Sequence, residues 1–370
     1  MKSSKRKKLG QFFSQHSDYI LKGFEMYVVG KNVFDPFGGK GDLLDWAVDN
    51  GATSTFGCDI DVSLVTSDII YNDSLKSIPN HTFLITNPPY LGKNKMKPRQ
   101  KAEYMIGHDY EDLYMLSIAK IIESDPDEGI IIVPVNFLSA ENANKIRSVF
   151  FSKYGVHKLR FFAEQVFMDT SYNVIAFYFN RNKNKVFDMH IMPNDTYKKI
   201  ELDKFFNIKS DIVQKIKSES NTIKCVRLTE ADMELEENAG PNVVECFFND
   251  KNDRRTYMIS DDFKELLSSN IMMLNCIDTL FVPINIEDIR KHNVICLIGK
   301  NTSRNIAYIT CKIPIKDQEK LIVLANKLLT QLREDTFSMF LTNFRDGNRK
   351  RIGFDFYYKL INYCFRKLKE

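Results

Sequence analysis

The sequence predicts an α/β protein: a Rossmann-like, doubly wound, mostly parallel seven-stranded sheet followed by a C-terminal α+β domain. Three observations carry this expectation. Between Asn32 and about Asn180, short apolar runs alternate with helical stretches, the pattern of βαβ units joined by right-handed crossovers. The run Gly129–Val133 is continuously apolar, as strands buried on both faces of a parallel sheet are. Asp35, Asp59, Asp73 and Asn87 stand where successive runs stop, at the sheet edge where open α/β folds bind ligands.

The elements follow in order. Val33-Phe34 reads as a strand that ends in Asp35-Pro-Phe-Gly-Gly-Lys-Gly41. A helix begins near Asp42, with Leu43, Leu44 and Ala47 on one face and Asn50-Gly51 as its stop. Thr53–Cys58, Asp68–Tyr71 and Phe83–Thr86 read as strands, the last running into Asn87-Pro-Pro-Tyr90. Tyr110–Ile122 is predicted helical, Gly129–Val133 a strand, and Glu141–Phe151 a helix; strands Lys158–Phe162 and Val174–Phe179 close the region. Beyond it, Asp195–Asn238 is polar and rich in Lys and Glu, and Ser218–Asn221 reads as an exposed break. Asn293–Ile298 and Ile306–Ile313 then read as strands and Gln318–Arg333 as a helix, which gives expected domains of residues 1–195 and 196–370.

With 370 residues, 44% hydrophobic and 27% charged, the chain has material for two or three domains with real cores. No apolar run reaches the about 18 residues of a membrane span, and no apolar signal region follows the basic N-terminus. The seven cysteines are scattered without a Cys-x-x-Cys pair, and the six histidines show no ligand spacing. A soluble cytoplasmic protein with reduced thiols and no metal is the expectation. A net charge of +4 permits a nucleic-acid partner without requiring one. The lysines and arginine at positions 2–8 read as a solvated tail, or as an arm against phosphate.

The loop Asp35–Gly41 lies between a strand and a helix, where glycines let backbone approach a ligand and the helix start offers free N–H groups. A phosphate-gripping loop needs Gly-Lys-Ser/Thr, but Lys40 is followed by Gly41. The dinucleotide fingerprint fails as well, because Leu44 stands where its third glycine belongs. An acidic residue opening the loop suits a positive amine better than a phosphate. Asp59, at the end of the second strand, can accept both ribose hydroxyls, and Asp73, at the end of the third, an exocyclic amine. Together they describe a pocket for a neutral nucleoside with a cationic amino-acid end, the shape of S-adenosyl-L-methionine. Pro88 and Pro89 each fix φ and remove a donor, and Pro88 keeps Asn87 out of the helical region. Asn87–Tyr90 therefore offers an amide, a bare carbonyl and a ring to a planar amine or amide.

On these residues the chain resembles the amino-group DNA methyltransferases, specifically the N6-adenine enzymes of type II restriction-modification systems. Asp35, Pro36, Phe37, Gly39 and Gly41 match the family's cofactor loop, and Asn87–Tyr90 its catalytic tetrapeptide. Gly10-Gln-Phe-Phe-Ser14 is similar to the N-terminal motif, though Gln15 stands where proline is usual. Asp112-Leu-Tyr114 is similar to the family's helix start, and Val166–Phe179 to the motif whose leading aromatic packs on the target base. The motif order is that of the gamma group, and the resemblance covers about residues 7–180.

The resemblance implies S-adenosyl-L-methionine as cofactor, S-adenosylhomocysteine as product, and contacts from Phe13, Ser14, Asp35, Phe37, Gly39, Gly41, Asp59, Ile60, Asp73 and Asn87. It implies catalysis by Asn87, Pro88, Pro89 and Tyr90 on N6 of an adenine flipped out of double-stranded DNA, with Tyr90 and Phe167 stacking on the base. The C-terminal domain becomes a target-recognition module, and a companion restriction endonuclease acting on the same site an implied partner. No cysteine follows a proline, so the nucleophilic pair of cytosine C5 methylation is absent. Lys93, Lys95, Lys97, Arg99 and Lys101 read as a solvated loop or a phosphate-contacting one, and Arg345, Arg349 and Arg351 as a second DNA-binding cluster. Two rivals stay open: an RNA or protein-glutamine amino-methyltransferase with the same tetrapeptide chemistry, and a catalytically silent DNA-binding subunit. The basic, aromatic C-terminal half favours DNA over the first, and the intact motifs argue against the second.

Overall fold

A computed structural model describes residues 16–167, 173–204, 207–236, 239–279, 282–336, 338–343 and 350–370, with backbone only at Thr342 and Asn343. The chain divides into two compact units, one through Lys209 with Asn343–Asn348, the other of Ser210–Thr342 and Arg349–Glu370.

The first unit is built on nine strands: β1 (Asn32–Asp35), β2 (Ser54–Asp59), β3 (Ile69–Tyr71), β4 (Phe83–Thr86), β5 (Glu128–Pro134), β6 (Gly155–Phe162), β7 (Val174–Asn180), β8 (Val186–Met192) and β9 (Thr196–Glu201). They lie in one sheet in the order β3-β2-β1-β4-β5-β7-β6-β8-β9. Strands β1 to β5 pair in parallel, as do β6 and β8, while β7 runs antiparallel to both β5 and β6. The mostly parallel α/β expectation is thus observed, with nine strands in place of seven. The extra pair is β8 and β9. In β8 the apolar residues Phe187, Met189 and Ile191 alternate with polar ones, and in β9 only Ile200 is buried. A Lys-bearing strand with so little apolar content suits an open sheet edge, which charge protects from further pairing.

Helices cover the sheet. α1 (Asp42–Asp49) buries Leu43, Leu44, Trp46 and Ala47 and stops where the Asn50 N–H bonds back to Trp46 and Gly51 turns with φ 90°. A short α2 (Pro98–Tyr104) begins with proline at its first turn, where the missing N–H costs nothing. α3 (Leu113–Ser124) is capped by Asp112, whose carboxylate accepts the Tyr114 N–H. α4 is Asn144–Lys153. The core centres on β5, whose Ile130, Ile131, Ile132 and Val133 are wholly buried, and on Phe137, Phe150, Phe177 and Phe179. Phe150 meets Phe137 edge-on at 5.5 Å and Phe179 at 5.2 Å.

The second unit is α+β. Val226–Arg227, Ile306–Thr310, Met272–Asn275 and Asn285–Asp288 form one four-stranded sheet in that order. Asp250–Ile259, Asn242–Phe248 and Cys296–Ile298 form a three-stranded one. The helix expected from Gln318 to Arg333 spans Ile315–Thr336 and buries Leu321, Ala325, Leu329 and Leu332 at helical spacing. A second helix, Phe354–Lys369, packs into the same core through Tyr357, Leu360, Ile361 and Cys364. All seven cysteines are free and buried.

Candidate functional site

Strand order reverses between β1 and β4, so the connections leaving them part and open a crevice at the sheet's C-terminal edge. Asp35 is the last residue of β1 and Thr86 the last of β4. The Thr86 hydroxyl donates to Asp35 Oδ1 at 2.7 Å, and the Phe37 N–H donates to the same oxygen at 2.9 Å. Asp35 is 1% exposed. Burial pushes its carboxyl up to about 7, against the pull of these two bonds and with help from the Asp59 charge.

The glycine loop is fastened to β2. The Gly38 N–H donates to the Cys58 carbonyl at 2.7 Å and the Gly39 N–H to Asp59 Oδ2 at 3.0 Å. Asp59 Oδ1 takes the Asp61 N–H at 2.7 Å, and burial raises this carboxyl too. Gly39 and Gly41 have φ of 58° and 90°, in the left-handed region that glycine adopts without a Cβ penalty. Asp73, two residues beyond β3, accepts the Leu75 N–H at 3.2 Å and the Tyr104 hydroxyl at 3.1 Å.

These groups surround a cavity of about 270 Å³. Phe37, Gly39, Asp59, Ile60, Asp73 and Asn87, all predicted from sequence to touch a cofactor, line it. Asp35 lies beneath Phe37 through their hydrogen bond, and Gly41 shapes the loop. Phe13 and Ser14 lie outside the described residues. Sequence reasoning missed the opposite wall: Arg99, Gln100, Glu103 and Tyr104 of α2, with Asn72 and Leu75 beside Asp73. Arg99, expected at DNA phosphates, is thus a cavity residue. The signal was a proline at a helix start followed by a four-residue spacing, hidden inside a run of charge.

The tetrapeptide places Asn87 and Pro89 on the cavity. Tyr90 departs from expectation. It is 0% exposed, its single hydroxyl hydrogen is shared between the Ile132 carbonyl of β5, at 2.7 Å, and Asn87 Oδ1, and its ring stands edge-on to Tyr114 at 6.4 Å. Burial pushes its phenol well above the ordinary range. With the hydroxyl captured by the sheet, the ring presents no face to a base in this conformation. Phe167, 4% exposed, lines a different cavity with Tyr19, Glu164 and Val166, so the two expected stacking rings do not face one another across one pocket.

Among the basic residues, Lys93–Lys95 form one 3-10 turn, and the Lys93 N–H is tied to the Glu111 carbonyl at 2.7 Å. Lys95, Lys97 and Lys101 are exposed around the buried Met96. Arg351 is half-buried in the second unit, its guanidinium made less basic by burial and then by Arg304; Arg345 and Arg349 lie outside the described residues. Among the described residues no cluster of three or more metal-binding side chains occurs, and no helix is long and apolar enough to cross a membrane.

Residues 73–167 match the Eco57I restriction-modification methylase family. No curated protein matches the chain. Among solved structures, the type IIL restriction-modification enzyme MmeI in complex with DNA is 12% identical, with 95% of this chain and 63% of that chain covered at a TM-score of 0.53. A type I restriction-modification methyltransferase subunit from Streptococcus thermophilus is 16% identical over 55% of this chain and 52% of that one, at a TM-score of 0.38. The chain therefore spans about half the length of the type I subunit and under two thirds of MmeI. The matched segment holds Asp73, the tetrapeptide, α2 and Phe167, and through it the chain resembles the restriction-modification DNA methyltransferases of the Eco57I family.

Proposed function

We propose that the protein is an S-adenosyl-L-methionine-dependent DNA methyltransferase that modifies N6 of an adenine within a specific duplex sequence. The observation that carries this reading is the single cavity in which Asp59, Asp73 and Asn87, from three strand ends, converge on the glycine loop. The donor set fits the cofactor: carboxylates for hydroxyls and an amine, an apolar wall of Phe37 and Ile60, and, among the described lining residues, a single cation, Arg99. When bound, S-adenosyl-L-methionine supplies an electrophilic methyl group on a sulfonium.

On this reading the chain's own residues do the following. Asn87 Oδ1 and the Pro88 carbonyl accept the two hydrogens of the target amine and turn its lone pair outward. An amide oxygen has two acceptor sites, so Asn87 can keep the Tyr90 hydroxyl while receiving the amine. In the described conformation Tyr90 therefore serves by fixing Asn87; for stacking, its ring must leave the Ile132 seat. The exposed lysines between the tetrapeptide and α2, and the second unit with Arg351, supply the contacts to double-stranded DNA. A companion restriction endonuclease and an intracellular setting belong to this reading.

The test is Asn87→Ala. Methyl transfer to duplex DNA is expected to fall by about a hundredfold to a thousandfold, while S-adenosylhomocysteine still binds. Robust transfer by the variant removes Asn87 from the chemistry. Offering the wild-type protein labelled cofactor with separate DNA, RNA and protein pools decides the substrate. Label in DNA adenine alone is expected; label in RNA or protein favours the rival amino-methyltransferase, and label in none favours a silent DNA-binding subunit.

A further inference from the structure

We propose that Tyr104, on the helix closing the cavity, is a positioning residue that sets the site's preference for a ligand bearing an exocyclic amine. The proposal rests on the reading of the cavity as the S-adenosyl-L-methionine site.

α2 turns Arg99, Gln100, Glu103 and Tyr104 to the cavity, the i, i+1, i+4, i+5 pattern of one helical face. It is fastened to the loop after β3 by two contacts, Tyr104 to Asp73 and Glu103 to Lys76, and Lys76 in turn pairs with Asp73 inside the loop. Asp73 Oδ2 accepts the Tyr104 hydroxyl at 3.1 Å and faces Lys76 Nζ at 3.2 Å. Lys76 also reaches Glu103 at 2.7 Å, so the lysine bridges the loop to the helix. Burial and the Asp73 charge hold the Tyr104 phenol above its ordinary range, so it remains a donor. Among the described residues, Asp73 Oδ1 takes the Leu75 N–H alone, at 3.2 Å.

A carboxylate offers about four acceptor sites. With Oδ2 held by Tyr104 and Lys76, the carboxylate cannot rotate freely, and the remaining capacity lies on Oδ1 in a cavity-lining residue. A ligand amine finds a fixed acceptor there; a carbonyl oxygen in the same position meets a second acceptor and is rejected. Without the Tyr104 hydroxyl the carboxylate can turn and that selection weakens.

The experiment is isothermal titration of the full chain with S-adenosylhomocysteine and with its inosine counterpart, in which the exocyclic amine is replaced by a carbonyl oxygen. The wild type is expected to bind the adenosine compound more tightly by roughly thirtyfold or more. Tyr104→Phe keeps the ring and removes the hydroxyl. It is expected to lose roughly tenfold in affinity for the adenosine compound and to leave the inosine compound unchanged. Lys76→Met, at an exposed position, is expected to shift the same ratio in the same direction. If Tyr104→Phe binds both compounds as the wild type does, or weakens both equally, the positioning role is overturned. If the wild type binds neither compound, the cofactor reading of the cavity itself falls.

Discussion

Asp35 shows at residue scale what a buried carboxyl beneath the cavity costs the fold. Its carboxyl is pushed up to about 7 because 1% exposure leaves the charge poorly solvated, and two hydrogen bonds to Oδ1 only partly offset this. A carboxyl whose folded pKa exceeds its unfolded one favours folding at low pH. That contribution is whole below about pH 4 and is lost as pH rises towards about 7. A rise from the ordinary carboxylate value to about 7 corresponds to about 4 kcal/mol, an upper bound on what the ionised group costs the unliganded protein. Asp35→Asn keeps the oxygen that receives Thr86 and Phe37 and removes the charge. Denaturant unfolding is expected to show the variant more stable by up to about 4 kcal/mol at about pH 8 and unchanged at about pH 4, with S-adenosylhomocysteine binding lost. Equal stabilities at both pH values would show that the carboxyl is not strained by burial. If Asp35 is the partner of a ligand amine, as the sequence leads one to expect, wild-type affinity should weaken below about pH 7 as Asp35 takes up its proton.

At the scale of elements, what could be read from sequence was whatever the sheet repeats. Strand ends fall on one edge by topology, so Asp59, Asp73 and Asn87 converge as expected without any knowledge of their side-chain partners. The edge strands β8 and β9 were missed because their apolar content is one face of a strand that water also touches. α2 was read as charged loop, since seven residues are too few to show periodicity and the face that matters carries Arg99 and Glu103. The seat of Tyr90 was unreadable, because it depends on a carbonyl of β5, a strand that follows it by more than 40 positions. Gly41 tests the loop that does carry a sequence signature. It precedes α1 with φ 90°, and an added Cβ would meet only Ile69 Cδ1 at 3.7 Å, so the cost of alanine lies in the backbone. Gly41→Ala is expected to lose about 1–2 kcal/mol of stability and to weaken S-adenosylhomocysteine binding as the loop shifts. Gly30, with φ 70° and nothing within 4 Å, provides the control: Gly30→Ala should show a similar loss of stability and unchanged binding. Equal loss of binding in both variants would mean that the loop conformation is not what the ligand reads.

For the whole molecule, 52 basic residues against 48 acidic ones leave little general attraction for DNA, so affinity must come from where the cations stand. Lys95 and Lys97 are exposed on the segment between the tetrapeptide and α2, which itself lines the cavity. Arg99 is a poorer probe, because it lines the cavity and its loss would disturb the ligand as well. Each lysine on a phosphate releases about one counterion, so the slope of log affinity against log salt should become shallower by about 1.8 in Lys95→Ala plus Lys97→Ala. Lys183 and Lys199 are exposed near the opposite end of the sheet, and replacing both with alanine makes the same change in net charge. Fluorescence anisotropy of a labelled duplex over a salt series is expected to show the shallower slope for the first pair and the wild-type slope for the second. Equal slopes in both variants and the wild type would remove the segment from the DNA interface. Equal reductions in both would mean that the protein meets DNA through its overall charge and not through the surface beside Asn87–Tyr90.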